Sequence, residues 1–227
     1  MPATTSSFRL LLVTYTAAIF VSAALLFAVQ PLFAKMVLPR LGGSPSVWSV
    51  TLIFFQAVLL AGYAYAHFIS RRLPLPTQAI LHLALLTVTI FALPVAISAA
   101  WGRPPDAGQA FWLLGLFGVS VGLPAFAISS SAPLLQAWFA QSGHTRSADP
   151  YFLYAASNLG SFAALVLYPT VLEPLFGLGQ QSLLWSIGFV LLLAAIGGSA
   201  VLAAAGSDRP SLEAASPGSP VAAVLSG

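Results

Sequence analysis

The stretch DPYFLYAASNLGSFAALVLYPTVLEPLF, Asp149 to Phe176, decides how the chain is read. Its length and apolar content predict a membrane-spanning helix. Yet Ser157, Asn158 and Ser161 lie near its middle with Gly160 among them, and Glu173-Pro174 closes it. An amide in hydrocarbon costs free energy unless it is hydrogen-bonded, so this polar face is expected to point into protein. Ser157 and Ser161 stand one helical turn apart with Ala164 on nearly the same face, a surface that a second backbone can approach closely. The stretch is therefore read as the central helix of a bundle.

Composition sets the class around it. Hydrophobic residues make up 59% of the 227 and charged residues only 6%, with a mean hydropathy of +0.93. Soluble domains carry about 25% charged residues, so an integral membrane protein is expected. The net charge of +3 comes from eight basic residues scattered over several loops. No basic cluster points to nucleic acid. Without cysteine, disulfides, thiolate metal sites and thiol catalysis are excluded. The N-terminal apolar run follows one arginine and exceeds a signal-peptide core, so it is read as a retained first span.

A bilayer core of about 30 Å needs about 20 apolar residues per helix, and about six segments meet that length. The expected fold is all-α, a polytopic membrane helix bundle over residues 1–205. The first span runs from Leu10 to Val37, with Gln30-Pro31 interrupting it and a kink expected at Pro31. Gly42-Gly43, Ser44 and Pro45 then read as a helix end, an N-cap and a first helical position. The second span, Val47 to Ile69, holds Gln56 and is expected to lie antiparallel beside the first. The third covers Gln78 to Ala99, with His82 near its start and Pro94 near its end.

The fourth region, Phe111 to Phe139, contains Gly118, Gly122, Pro124, Ser129-Ser130-Ser131 and Pro133. Two readings stay open: a span to Ile128 followed by a broken piece through Trp138, or one kinked helix. WGRPPDAGQ and QSGHTRSADP read as loops and GLGQQS as a turn. A sixth span covers Ser182 to Ala204. The tail, 206–227, is rich in Ser, Pro, Ala and Gly and is expected to be disordered. With six spans, five basic residues fall on the side of both termini and three on the other. That places both termini in the cytoplasm.

Three groups of residues carry a resemblance. They are LLFAVQPLFAKMVLPRLGGSPSVW with FFQAVLLAGYAYAH, then SSSAPLLQAWFAQSGH, then DPYFLYAASNLGSFAALVLYPTVLEPLFGL. Together they cover most of Leu25 to Leu178, and they resemble the membrane region of the spermidine-synthase-like membrane proteins of bacteria, the fused transporter/spermidine synthases. The resemblance implies a multi-pass protein of the bacterial inner membrane. In that family the spans usually precede a cytoplasmic domain similar to aminopropyltransferases and methyltransferases. No strand and glycine-rich turn follow the sixth span here, so aminopropyl transfer does not carry over. What is implied is a membrane domain working beside a separately encoded synthase- or methyltransferase-like partner.

Each candidate residue has a functional and a structural reading. Ser157, Asn158 and Ser161 could line a polar site, against interhelical bonding and close packing, which is preferred. Glu173 could carry a proton or bind a cation, against an interfacial carboxylate. Gln30 and Gln56 fall on adjacent spans with a depth mismatch of only several Å, so they could line a polar path or form a structural amide pair, which is preferred. Lys35 and Arg40 could hold an anionic headgroup or substrate, against snorkelling. His67 and His82 flank the Arg71-Arg72 turn, but no carboxylate or thiolate accompanies them, so no metal and no cofactor is assigned. The serine run at 129–131 has no histidine or acid near it in sequence and reads as backbone satisfaction around Pro133.

Three function classes follow. The first is a membrane module that anchors or regulates a synthase-like partner. The second is a small-solute transporter or carrier acting as a homo-oligomer. The third is a membrane enzyme, for which no convergent acid, base and nucleophile can be named.

Overall fold

The computed structural model describes residues 3–98, 101–141 and 150–207. These are all-α. Six helices among them are long and apolar enough to cross a membrane, which is the architecture of a multi-pass membrane protein. We label them α1 (Ala3–Leu41), α2 (Pro45–Arg72), α3 (Leu75–Ala92), α4 (Gln109–Ala140), α5 (Tyr151–Leu175) and α6 (Leu178–Ser207). The proposed tail falls almost wholly outside the described residues, as does most of QSGHTRSADP.

The first turn follows its chemistry. Gly42 takes a φ of 71°, which glycine adopts without strain, and its N–H donates to the Leu38 carbonyl at 2.8 Å. Ser44 then accepts from Val47 N at 3.4 Å, and Pro45 occupies the first turn of α2. Upstream, α1 runs through both Pro31 and Pro39, so the expected interruption at Gln30-Pro31 does not end the helix.

Proline acts elsewhere as a boundary. The third span was expected to reach Ala99, a residue outside those described, but the helix closes in a 3-10 turn at Ile90–Ala92. Pro94 explains the early end, since the residue before a proline is pushed out of the helical region; Leu93 has ψ 153°. The sixth helix starts four residues before Ser182, so most of the expected GLGQQS turn is helical.

In the fourth region the second of the two open readings is observed: one continuous helical run, widened by a π-turn at Gly118–Gly122. The cause lies just beyond it. In a regular helix the Ser120 carbonyl would accept from residue 124, which is a proline without an N–H. A π-turn accommodates that missing bond. A second π-turn, Tyr168–Leu172, contains Pro169 and is followed by Pro174.

The packing order corrects the central-helix expectation. The inner helices are α1 and α4: α1 packs along α5, α6 and α4, and α4 also receives α2 and α3. The helix α5, read from sequence as central, lies mainly against α1. In an 18-residue stretch of α5, 22% of residues are buried, against 44% in α4. The face of α5 that makes the close approach is Ala156, Gly160 and Ala164, at four-residue spacing. A Cβ on Gly160 would strike the backbone carbonyl of Phe20 in α1. Small residues at this spacing let two helix backbones meet. The same device joins α2 to α4, where a Cβ on Gly62 would collide with the Ser129 side chain. The first two spans, expected as neighbours, share less of their length than either shares with α4.

Candidate functional site

The end of the bundle where α1 and α5 finish and α6 begins brings an ion pair, a tyrosine and a glutamine together. Lys35 of α1 forms an ion pair with Glu173 of α5. The lysine side chain is 28% exposed and the carboxylate 44%, so both reach the surface at the edge of the spans. The Lys35 ammonium also lies 5.9 Å from the centroid of the Tyr168 ring, within cation–π range. The π-turn of α5 holds this arrangement together, because Tyr168 opens it and Glu173 follows it.

Two polar atoms behind the ion pair have no partner. The Tyr168 hydroxyl and Gln181 Oε1 are buried without a hydrogen bond among the described residues. The other end of the Gln181 amide is anchored: Nε2 donates to the carbonyls of Phe176 at 2.7 Å and Leu172 at 3.3 Å. That fixes the Gln181 oxygen in place with its lone pairs unused, an arrangement that costs free energy until a donor arrives.

Gln181 lies between two cavities. One, of about 370 Å³, opens beside Lys35, Glu173 and Phe176. The other, of about 380 Å³, runs between α1, α5 and α6 and is almost wholly apolar, with Phe20, Ala24 and Leu32 on one wall and Ala163, Tyr168 and Trp185 on the others. The α6 wall is fastened to α1 by Trp185, whose indole N–H donates to the Leu25 carbonyl at 2.9 Å.

The remaining sequence candidates fall elsewhere. Asn158 is exposed, contrary to the expectation that its face turns inward. The close-approach face lies one position round the helix, at Ala156 and Gly160, and this rotates the amide outward. Ser157 and Ser161 are half-buried, and the Ser161 hydroxyl donates to the Ser157 carbonyl at 3.0 Å within its own helix. Gln30 and Gln56 do not meet. Gln30 donates back to the Leu26 carbonyl at 3.5 Å, and Gln56 is exposed. Arg40 is half-buried and donates to the Trp101 carbonyl at 3.0 Å, so it holds the loop between α3 and α4.

One association escaped the sequence reading. His82, fully buried, lies with Nε2 3.1 Å from the Ser131 hydroxyl, so the serine run does have a histidine beside it. Ser131 uses its single proton on the Ala127 carbonyl at 2.9 Å. With that proton on the carbonyl, His82 Nε2 is the donor and Nδ1 carries the lone pair, which has no partner among the described residues. A serine nucleophile needs the opposite polarity, with the hydroxyl donating to the imidazole. Ser129 and Ser130 donate to carbonyls one turn back at 2.9 Å, at Phe126 and Ala127. A second buried pair adjoins: the Trp138 indole N–H donates to Gln78 Oε1 at 2.9 Å. Gln78 Nε2 in turn donates to the Leu73 carbonyl at 2.7 Å. This network braces α3 on α4.

No protein-family model matches this chain, and neither does any curated protein or solved structure.

Proposed function

We propose that this chain is a multi-pass membrane module that anchors or regulates a separately encoded synthase- or methyltransferase-like partner. The observation that carries the reading is how the interior polar groups are spent. Ser22 donates from α1 to the Ile128 carbonyl of α4, Tyr15 from α1 to the Ser199 carbonyl of α6, and Trp138 from α4 to Gln78 of α3. Groups bonded to one another across helices make a braced platform rather than a wet passage for a soluble substrate. The stretches that resemble the spermidine-synthase-like membrane proteins also contain Gly62, Ser129 and Gly160, residues at which two helices approach closely.

The test is gentle purification of the tagged protein from its own membranes, with co-purifying proteins identified by mass spectrometry. A stoichiometric soluble protein with a nucleotide-binding fold is the expected result. Recovery of the chain without such a protein overturns the anchoring reading.

A small-solute carrier assembled from two copies is the second reading. Asn158 favours it, because its amide is exposed within the span and has no hydrogen-bond partner among the described residues. A homodimer that supports solute uptake in vesicles would decide for the carrier.

A further inference from the structure

The apolar cavity has the dimensions of one leaflet. Its α1 wall extends from Phe20 to Leu32. That is twelve residue steps, or about 18 Å at 1.5 Å per residue. Half of a hydrocarbon core about 30 Å thick is about 15 Å. Lys35 lies one turn beyond Leu32, so the ion pair stands where a headgroup begins. A cavity of about 380 Å³ also falls in the range that ligand sites occupy.

The polar end is electrically balanced. Lys35 and Glu173 contribute one positive and one negative charge, side by side and partly exposed. A headgroup that carries both signs can match them in antiparallel order, phosphate on the lysine and ammonium on the glutamate, through charge-assisted hydrogen bonds. A headgroup with net negative charge meets Glu173 with like charge. The two orphaned atoms fit the same ligand. Tyr168, 3% exposed, lines the apolar cavity, and a small turn of its ring lets the buried hydroxyl donate to an ester carbonyl at the top of an acyl chain. Gln181 Oε1 belongs to a residue 5% exposed that lines both cavities, and it can accept from an ammonium or hydroxyl hydrogen.

We propose that the groove between α1, α5 and α6 is a binding site for one acyl chain of a zwitterionic, amine-bearing phospholipid, with its headgroup on Lys35 and Glu173. The proposal goes beyond the anchoring reading and stands without it, because it concerns the bilayer's own molecules rather than a protein partner.

The full chain is reconstituted in vesicles of equal parts phosphatidylethanolamine and phosphatidylglycerol and extracted in mild detergent. Native mass spectrometry then identifies the lipid retained. One phosphatidylethanolamine per chain is expected, with about a tenfold preference, the size that one hydrogen bond to a charged group supplies. Glu173→Gln leaves Lys35 positive and unpaired, so the preference should shift to phosphatidylglycerol. Ala163→Phe and Ala24→Phe block the groove from opposite walls and should abolish retention while the ion pair remains. If either wall variant fails to fold, the exchange of preference in Glu173→Gln decides alone. Wild-type protein that retains no lipid, or retains the two lipids equally, overturns the proposal. So does tight retention in folded wall variants, or an unchanged preference in Glu173→Gln.

Discussion

The α2–α3–α4 side of the bundle and the α1–α5–α6 side both carry polar groups into apolar surroundings, but they treat them differently. On the first side His82 meets Ser131 and Trp138 meets Gln78, and the Tyr65 and Trp138 rings lie 6.4 and 6.3 Å from the His82 ring. Among the described residues a single buried atom there, His82 Nδ1, has no partner. On the second side α5 touches α1 tightly at Gly160 and then stands away from α6, leaving a cavity with the Tyr168 hydroxyl and the Gln181 oxygen unbonded. A filled interior with bonded polar groups is what stability alone would select. An opening with fixed, unused polar atoms costs stability. The contrast assigns the first side to holding the fold and the second to receiving something.

The strongest way to break this comparison is to force the helices apart. Gly62→Leu places side-chain atoms on Ser129 and on the Ser130 backbone nitrogen, and Gly160→Leu places them on the Phe20 backbone. Overpacking costs about 1–3 kcal/mol where side chains can yield. Here the obstacles include backbone, so each variant should lose more than about 3 kcal/mol, seen as collapsed expression and an early melt in detergent. Ala163→Leu is the control. It is three residues from Gly160 but on the cavity wall, and its melting temperature should hold or rise. Equal damage from Gly160→Leu and Ala163→Leu would show that the second side is as tightly filled as the first.

Next in size is Trp138→Phe. It keeps the ring but removes the indole N–H, and so leaves Gln78 Oε1 buried without its donor. The expected loss is about 1–3 kcal/mol, the cost of an unsatisfied buried group, read by thermal melting. The matched change on the other side is Gln181→Met. It removes an acceptor that is already unpartnered, although it also gives up the bonds to Phe176 and Leu172. It should therefore cost less than Trp138→Phe. If it costs more, the second side depends on its polar atoms for folding.

Glu173→Gln should be smaller again. A pair exposed at 28% and 44% is worth about 0–1 kcal/mol. The melt should move little while the retained lipid changes, and that separation of stability from binding is what distinguishes the two sides.

The turn from Gly42 to Pro45 was legible because its chemistry is local: a positive φ, a capping hydroxyl and a proline at a position without an obligatory N–H. The six spans were legible because length and apolar content suffice. The order of packing was not. In a membrane, lipid and protein interior are both apolar, so hydrophobicity does not report which face is buried. The signal that does report it is small-residue spacing, and Ala156-Gly160-Ala164 carried it one position from the serines that drew attention. His82 and Ser131 are 49 residues apart in sequence, and nothing local connects them. Gln181 was hidden for a different reason. It lies in GLGQQS, whose glycines and glutamines read as a turn, while Gly177 alone separates Phe176 from the start of α6.

Asn158 brings the smallest expected effect and the sharpest consequence. If the bundle described here is the unit that spans the membrane, Asn158 faces lipid both in the folded chain and in isolated inserted helices. Its replacement by leucine then cancels from the folding free energy, and Asn158→Leu should melt within about 0.5 kcal/mol of wild type, as surface substitutions do. Its neighbours on the exposed face, Tyr151, Tyr154, Phe162 and Leu165, would be lipid-facing as well. A clear loss of stability in Asn158→Leu, paired with loss of cross-linking between copies carrying cysteine at Phe162, would mean that another helix covers this face and bonds the amide. An amide is both donor and acceptor, so a second copy related by a two-fold axis satisfies it with the same residue. In that event α5 would be an interior helix after all, central to a dimer rather than to one chain, and the open side of the bundle would be the side that assembles.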